Sequence, residues 1–268
     1  MTAYRYVRQG RLVATRDGTE WRVAAEDLKA FKSAATRAVA PETEAPAPGQ
    51  GAPWAKRLER CLLAGDETAA WRIIEQALAS GRSVQYCYLE MLAGALSAIG
   101  EGWARGQLDV ADQHLATAVA ARLVSRLGAR FRRPGRSRGT VVFGAPTGEF
   151  HSLPIAIASD LVRLQGFDVL ELGANVPAEA FVSAALSAPR LIAIGVGVTQ
   201  RELIWAAQEV IDAVRAADPT VPVILGGLAA GAVADMDLRG VTAVAADGSS
   251  AVALIESFAA SRAMRSVG

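Results

Sequence analysis

Residues 144–154 read Gly-Ala-Pro-Thr-Gly-Glu-Phe-His-Ser-Leu-Pro, and this loop with its two flanks decides the fold. The preceding run, Gly139-Thr-Val-Val-Phe143, is short, β-branched and apolar, which predicts a buried strand. The following run, Ile155 to Gly166, has apolar residues at helical spacing, with Pro154 suited to its first turn. His151 is therefore predicted in a strand-to-helix loop at the carboxyl edge of an α/β sheet, where such folds bind ligands.

Five apolar runs alternate with helical segments after residue 139 and predict a single sheet. The runs are Val141–Phe143, Val169–Leu172, Leu191–Val198, Val221–Leu225 and Thr242–Ala245. Strands that are separated by helices pair in parallel, so a doubly wound, flavodoxin-like five-stranded sheet is expected. Gly226 and Gly227 follow the fourth run, and adjacent glycines let a ligand come close to the backbone. Neither G-x-G-x-x-G nor a P-loop occurs, which argues against dinucleotide and ATP binding.

A four-helix bundle is predicted to precede the sheet, between Trp54 and Phe131. Asp66, Ser83 and Asp109 stand where the second, third and fourth helices need N-caps. Apolar residues recur at spacings of three and four, as an antiparallel bundle requires. Three further residues, Trp103, Gln113 and His114, fall around the connection between the third and fourth helices, so they are expected at one end of the bundle.

The N-terminal 37 residues resemble the second half of a MerR- or excisionase-type winged helix. A basic helix is followed by a hairpin about Asp17-Gly18 and by another helix that begins at Ala25. Arg5, Arg8 and Arg11 would contact phosphates in such a module. The first helix of the helix-turn-helix is missing from these residues, so weak DNA binding is expected. A solvated basic hairpin is the alternative interpretation.

Composition places the remaining boundaries and restricts the class of protein. Residues 38–53 are rich in Pro, Ala and Gly, which predicts a linker, with the bundle at 54–132 and the sheet domain at 139–265. The 268 residues are 51% hydrophobic and carry a net charge of +1. No apolar run is long enough for a membrane span and no secretory signal is visible, so a cytoplasmic protein is expected. Cys61 and Cys87 are too few for a metal or disulfide framework.

The combination of bundle, sheet, histidine loop and paired glycines resembles the cobalamin-binding module. Its common pattern is D-x-H-x-x-G, followed by S-x-L and then G-G. The corresponding residues here are Glu149-x-His151-x-x-Pro154, Gly197-Val198-Thr199 and Gly226-Gly227. The bundle segment Trp103-x9-Gln113-His114 resembles the W-x9-E-H signature of the light-sensing CarH/LitR family of MerR-type repressors, and the resemblance spans nearly the whole chain.

The resemblance implies a role for each of these residues. His151 would be the lower axial ligand of cobalt, and Glu149 would hold its other ring nitrogen, which fixes the tautomer and raises the basicity of the imidazole. Trp103 would cap the upper face against an adenosyl group, whose ribose Gln113 and His114 could hydrogen-bond. The remaining implied cofactor contacts are Ser152, Gly197, Thr199, Gly226 and Gly227.

The function implied by the resemblance is a non-enzymatic light sensor that regulates transcription. Adenosylcobalamin is the expected chromophore, and its loss of the adenosyl group in light would change homo-oligomer contacts and DNA occupancy. Two alternatives stay open: a corrinoid protein that shuttles methyl groups, and a relative in which a bilin such as biliverdin accompanies or replaces cobalamin. The bilin alternative stays open because Gln113, Gly197 and Ala104 depart from the family's glutamate, serine and histidine.

Overall fold

The computed structural model describes most of the bundle and sheet domain and a short part of the N-terminus. The described residues are 13–17, 20–29, 53–131, 135–230 and 238–267. The predictions for Arg5, Arg8 and Arg11 and for the linker up to residue 52 lie outside these ranges. The chain divides into two compact units, Met1–Leu123 and Val124–Gly268.

The described N-terminal residues form a hairpin followed by a helical turn. Strands β1 (Thr15–Asp17) and β2 (Glu20–Arg22) pair antiparallel, with Thr15 opposite Arg22. Residues 25–29 are helical, and the Leu28 amide donates to the Ala24 carbonyl at 3.1 Å. The predicted hairpin and the helix after it are therefore confirmed.

Four helices follow, as the spacing of apolar residues predicts. They are α1 (Trp54–Leu63), α2 (Glu67–Ala79), α3 (Val84–Tyr86, Cys87–Leu92 and Ala93–Ala104 in succession) and α4 (Val110–Phe131). The Asp66 carboxylate accepts from the Ala69 amide at 2.8 Å, and the Ser83 hydroxyl accepts from the Tyr86 amide at 3.0 Å. Each cap satisfies one of the amides that a helix start leaves unpaired, so these helices begin where the sequence predicts.

The bundle core is built from side chains of all four helices. Its large, fully buried members include Leu58, Leu62, Ile74, Tyr88, Met91, Leu92, Ile99, Leu123 and Leu127. One feature differs from expectation: Cys87–Leu92 is π-helical, and the Ala93 amide donates to the Tyr88 carbonyl five residues back. A π-turn places one additional residue in a helical turn, which periodicity alone does not reveal.

The second unit contains a five-stranded parallel sheet. The strands are β3 (Thr140–Gly144), β4 (Asp168–Glu171), β5 (Leu191–Gly197), β6 (Val223–Gly226) and β7 (Ala243–Val244). Their spatial order is β4-β3-β5-β6-β7 and every adjacent pair is parallel. This is the predicted flavodoxin-like arrangement, in which the order of strands reverses at β3.

Helices cover both faces of the sheet. They are α5 (Leu153–Leu164), α6 (Ala178–Ser187), α7 (Ile204–Ala217, after a 3-10 turn at Arg201–Leu203) and α8 (Gly248–Val267). Apolar residues pack in two clusters, one containing Phe181 and Val210 and the other containing Phe143 and Ile255. Because β3 and β5 are covered on both sides, they consist almost entirely of buried residues. None of the helices in the described ranges is long and apolar enough to cross a membrane.

Candidate functional site

Three neighbouring strands end in glycine at the carboxyl edge of the sheet. β3 ends at Gly144, β5 at Gly197 and β6 at Gly226, and Gly197 lies opposite Gly226 in the ladder. The absent side chains make room for neighbouring residues at two of these positions: an added Cβ would lie 2.6 Å from Phe181 at Gly144 and 2.5 Å from Ile155 at Gly197. At Gly226 the nearest atoms would be 3.9 Å away, so this strand end is where a ligand could approach the backbone.

Gly227 is required by the backbone. Its φ is +97°, a left-handed conformation that side chains rarely adopt. A Cβ added there would lie 2.3 Å from the Val198 carbonyl oxygen, which is a backbone atom that cannot rotate away. The second glycine of the predicted pair is thus fixed by the close approach of the β5 and β6 ends.

At Gly197 the structure gives a reason for the departure from the expected serine. A Cβ at this position would lie 2.5 Å from Ile155 Cδ1. Ile155 is buried in the first turns of α5, so its side chain fills the volume that a serine side chain would need. Gly197 and Ile155 are therefore complementary in volume, because the small residue on the strand makes room for the large residue on the helix.

The histidine loop is organised around Glu149, whose side chain is fully buried. Its carboxylate accepts four hydrogen bonds from two residues. The donors are the Thr199 amide at 2.7 Å, the Thr199 hydroxyl at 2.8 Å, the His151 amide at 3.1 Å and His151 Nδ1 at 2.5 Å. A buried carboxylate needs such partners to remain charged, and these partners come from β3 and β5 loops that are adjacent in the sheet.

These bonds determine the tautomer of His151. Thr199 Oγ1 has one proton, which it donates to Glu149, so toward His151 Nδ1 at 2.9 Å it presents lone pairs. Nδ1 therefore carries the ring proton and donates it to Glu149. In a neutral imidazole the lone pair then lies on Nε2. About half of the His151 side chain (49%) is exposed. The ring offers one nitrogen ligand at the sheet edge.

The charge of Glu149 follows from two opposing effects on its pKa. Burial raises the pKa, while the hydrogen bonds from Thr199 and His151 lower it, and the resulting pKa lies below the usual value of a glutamate. Glu149 is consequently ionised at neutral pH. A charged acceptor at Nδ1 makes the imidazole a stronger donor at Nε2.

A metal at this edge would find a single protein ligand. Within the described ranges, no group of three His, Cys, Asp or Glu residues is placed to hold a metal ion. Protein-only metal sites use three or four such ligands. A metal bound through His151 would therefore have to bring its other ligands with it, as a macrocyclic cofactor does.

The predicted bundle residues lie at one end of that unit. Trp103 is next to last in α3 and is 42% exposed, while Gln113 and His114 stand in the first turns of α4 and are half-buried and exposed respectively. Val110 and Leu115 are also exposed, at 52% and 44%. The indole and two aliphatic side chains around this helix junction are thus left partly in solvent. The cofactor roles assigned to Trp103, Gln113 and His114 stay predictions.

Two residues of the site were not identified from the sequence. Asn175, after β4, donates its backbone N–H to the Glu149 carbonyl at 2.8 Å, and its side-chain oxygen accepts from the Gly148 backbone amide at 2.9 Å. Ser159 Oγ, one turn beyond Ile155 on α5, is buried and has no hydrogen-bond partner among the residues that the structure describes. A lone asparagine and a helical serine carry no pattern that sequence inspection could use. Ser152, by contrast, was predicted as a contact and is exposed, with no capping bond from its side chain.

A cavity of about 710 Å³ opens at the opposite, amino edge of the sheet. It is lined by Leu191, Val221, Phe258, Arg190 and Arg262 among others. None of the residues predicted to contact the cofactor lines it, so the chemistry described above belongs to the carboxyl edge.

Comparison with known proteins identifies both domains. Two family profiles, each described as a B12 binding domain, match residues 54–127 and 139–256. The trimethylamine corrinoid protein 1 of Methanosarcina acetivorans is 29% identical over 137 residues, which is 48% of this chain and 61% of that protein. The HTH-type transcriptional repressor CarH of Myxococcus xanthus is 32% identical over 179 residues, 66% of this chain and 58% of that protein. The chain thus spans about three fifths of the length of the curated relatives that it matches.

A solved structure supports the fold. The monomethylamine corrinoid protein of Methanosarcina barkeri superposes with a TM-score of 0.65 at 13% identity, covering 75% of this chain and 96% of that one. The residues at the carboxyl edge also fit a corrinoid on their own chemistry. His151 holds its ring proton on Nδ1 and so presents a lone pair on Nε2, Gly226 leaves the end of β6 without a side chain, and the buried Ser159 hydroxyl has no partner among the described residues.

Proposed function

Because this chain is a cobalamin-binding protein built from two B12-binding domains, we propose that it is a non-enzymatic, light-responsive regulator that carries adenosylcobalamin. The observation that carries the proposal is the state of His151, whose ring is held through Nδ1 and whose Nε2 is free for an axial position of cobalt. The cofactor would supply a cobalt–carbon bond that visible light breaks.

In the sheet domain, the chain's own residues would bind and orient the corrinoid. His151 would donate Nε2, and the ionised Glu149 would keep the ring in the tautomer that can do so. The glycine that ends β6, Gly226, would let the flat macrocycle come close to the backbone. Ser159 would donate to, or accept from, the part of the cofactor that enters the domain.

The bundle supports an adenosyl rather than a methyl group as the upper ligand. Trp103 is exposed to 42%, although an indole of this size gains much from burial. A flat purine would cover the exposed indole, whereas a methyl group would leave it wet. Loss of the adenosyl group would uncover the indole again, and an uncovered apolar surface favours a change in protein contacts.

The N-terminus and the comparisons support regulation as the output. The hairpin of β1 and β2, followed by a helical turn, has the order of elements of a wing and its next helix. The match to a transcriptional repressor covers 66% of the chain, compared with 48% for the trimethylamine corrinoid protein. DNA and a second copy of the chain are the proposed partners, and the dependence of DNA binding on Arg5, Arg8 and Arg11 belongs to this proposal.

A carrier of methyl groups is the second candidate. It is favoured by the matches to trimethylamine corrinoid proteins, which cover 48% and 44% of this chain. Such a carrier would need no response to light, and its bundle would have to admit a methyltransferase to the upper face of the cofactor. The two functions therefore differ in what light should do.

The test is the absorption spectrum and the molecular mass of the chain loaded with adenosylcobalamin, measured in the dark and after visible light. We expect illumination to change the cobalt spectrum and the mass by light scattering. The control is His151→Ala, in which the dark spectrum should lose the contribution of an axial nitrogen. A light-independent mass together with stable methylcobalamin would favour the carrier. A far-red band after loading with biliverdin would favour a bilin chromophore, and identical spectra for the native chain and His151→Ala would refute the axial role of His151.

A further inference from the structure

Asn175 connects the histidine loop to the loop after β4 through its side-chain oxygen and its backbone N–H. The side-chain oxygen accepts from the Gly148 backbone amide at 2.9 Å, and the backbone N–H of Asn175 donates to the Glu149 carbonyl at 2.8 Å. These two bonds hold the peptide that precedes Gly148 and the peptide that follows Glu149. The position of the buried carboxylate is thereby fixed from the backbone, independently of what its oxygens contact.

The same loops are already joined below this point. The Val176 amide donates to the Ala145 carbonyl at 3.0 Å, and the Ala145 amide donates to the Gly173 carbonyl at 2.8 Å. Pro146 and Val176 form a parallel bridge beyond the ends of their strands. The β3–β4 ladder thus continues into the loops, and Asn175 is its last connection before His151.

The backbone of Asn175 explains why this residue is an asparagine. Its φ is +55°, and it is one of two non-glycine residues in the described ranges with a positive φ, the other being Arg190 at +51°. Asparagine tolerates this left-handed conformation better than most residues, and glycine, which tolerates it best, has no side-chain acceptor. The sequence contains a single asparagine, and it stands here. Both requirements, a positive φ and an acceptor, are met only by Asn or Asp.

We infer that Asn175 is a positioning residue that sets the ligand nitrogen of His151 before the cofactor binds. It acts through Glu149: by holding the Gly148 amide and the Glu149 carbonyl, it places Glu149 Oε1 within hydrogen-bond distance of His151 Nδ1 and keeps the ring proton away from Nε2. Thr199 holds the other carboxylate oxygen from β5, so Asn175 and Thr199 restrain Glu149 from two different strands. The inference rests on the proposed role of His151 as the axial ligand.

Two substitutions separate the effect of the backbone from that of the side chain. Asn175→Gly keeps the positive φ and removes the acceptor, whereas Asn175→Asp keeps both. Arg190→Gly is the matched control, because it relieves the same backbone conformation at the amino edge of the sheet, away from His151. A purely structural role of residue 175 would make the two glycine variants behave alike.

The first readout uses the apoprotein. In ¹⁵N NMR spectra of the His151 ring, we expect the native chain, Asn175→Asp and Arg190→Gly to show a protonated Nδ1, and Asn175→Gly to show a mixture of the two tautomers. The second readout uses the chain loaded with cob(II)alamin, whose electron paramagnetic resonance lines are split in three by one axial nitrogen. Asn175→Gly should lose part of this splitting and bind the cofactor about fivefold more weakly, as the loss of one hydrogen bond implies.

The outcomes distinguish this inference from the proposed function. A native tautomer and full nitrogen splitting in Asn175→Gly would overturn the role of Asn175. Absence of nitrogen splitting in the native chain would instead overturn the axial role of His151, and the apoprotein spectra would still decide whether Asn175 sets the tautomer. Equal losses in Asn175→Gly and Arg190→Gly would mean that only the stability of the domain had changed.

Discussion

Replacing Thr199 by valine tests the physical basis of the site, because it removes one hydroxyl and preserves the shape of the side chain. The hydroxyl donates to Glu149 at 2.8 Å, as one of four donors to a carboxylate that is fully buried. A hydrogen bond to a charged group contributes roughly 1.5–3 kcal/mol. Since three donors remain, we expect Thr199→Val to lower the free energy of unfolding of the apoprotein by about 2 kcal/mol at neutral pH.

The loss should depend on pH in a defined direction. The pKa of Glu149 in the folded protein is lower than usual, so its charged form stabilises the fold at any pH above the pKa of an unfolded glutamate, about 4.3. This stabilisation disappears as the pH falls through the lowered pKa of the folded state. Thr199→Val removes one of the bonds that lower the pKa. The difference in stability between the native chain and the variant should therefore be largest at neutral pH and should shrink in acid.

The measurement is urea-induced unfolding, followed by circular dichroism, at neutral pH and at a series of acid pH values below the pKa of an unfolded glutamate, about 4.3. Thr220→Val is the matched control, because the Thr220 hydroxyl donates to Asp218 at 2.7 Å in the same way, but that hydrogen bond is exposed to solvent. Solvent replaces an exposed bond, so the control should lose much less stability. An equal loss in both variants, or a loss in Thr199→Val that does not change with pH, would refute the reasoning about the buried charge.

Three further substitutions test the cofactor site. Glu149→Gln places an amide N–H near donors of Thr199 and His151, so the His151 ring should shift its proton to Nε2. We expect the affinity for cobalamin to fall about 10- to 100-fold as a result. A native Kd measured by calorimetry would contradict this. Gly227→Ala should destabilise the apoprotein by about 2 kcal/mol or more, because the positive φ strains a side chain and the new Cβ would clash with the Val198 carbonyl. Gly226→Ala is the control: its added Cβ would have its nearest contact at 3.9 Å, so this variant should unfold near the native urea concentration. Trp103→Ala should reduce the preference for adenosyl- over methylcobalamin in binding titrations while changing the free energy of unfolding by less than about 0.5 kcal/mol. An unchanged preference would mean that Trp103 does not contact the upper ligand.

Local patterns in the sequence were sufficient for the elements and their order. The apolar runs and the caps Asp66 and Ser83 located the helices and strands, because such signals act over a few residues. The alternation of strands and helices then determined the parallel sheet, since few connections are compatible with it. The π-helical stretch Cys87–Leu92 was not visible, because its effect on periodicity is a single residue.

For the site, the sequence by itself determined which residues could carry the chemistry, and the tertiary structure decided what holds them. The E-x-H spacing was enough to suggest that Glu149 contacts His151, since two residues in one loop are necessarily close. Thr199 and Asn175 lie 50 and 26 residues from Glu149 in the sequence, and only the pairing of β5 and β4 with β3 brings them to it. Their hydrogen bonds to Glu149 are non-local contacts, and the register of neighbouring strands, which no local pattern encodes, fixes whether such contacts form.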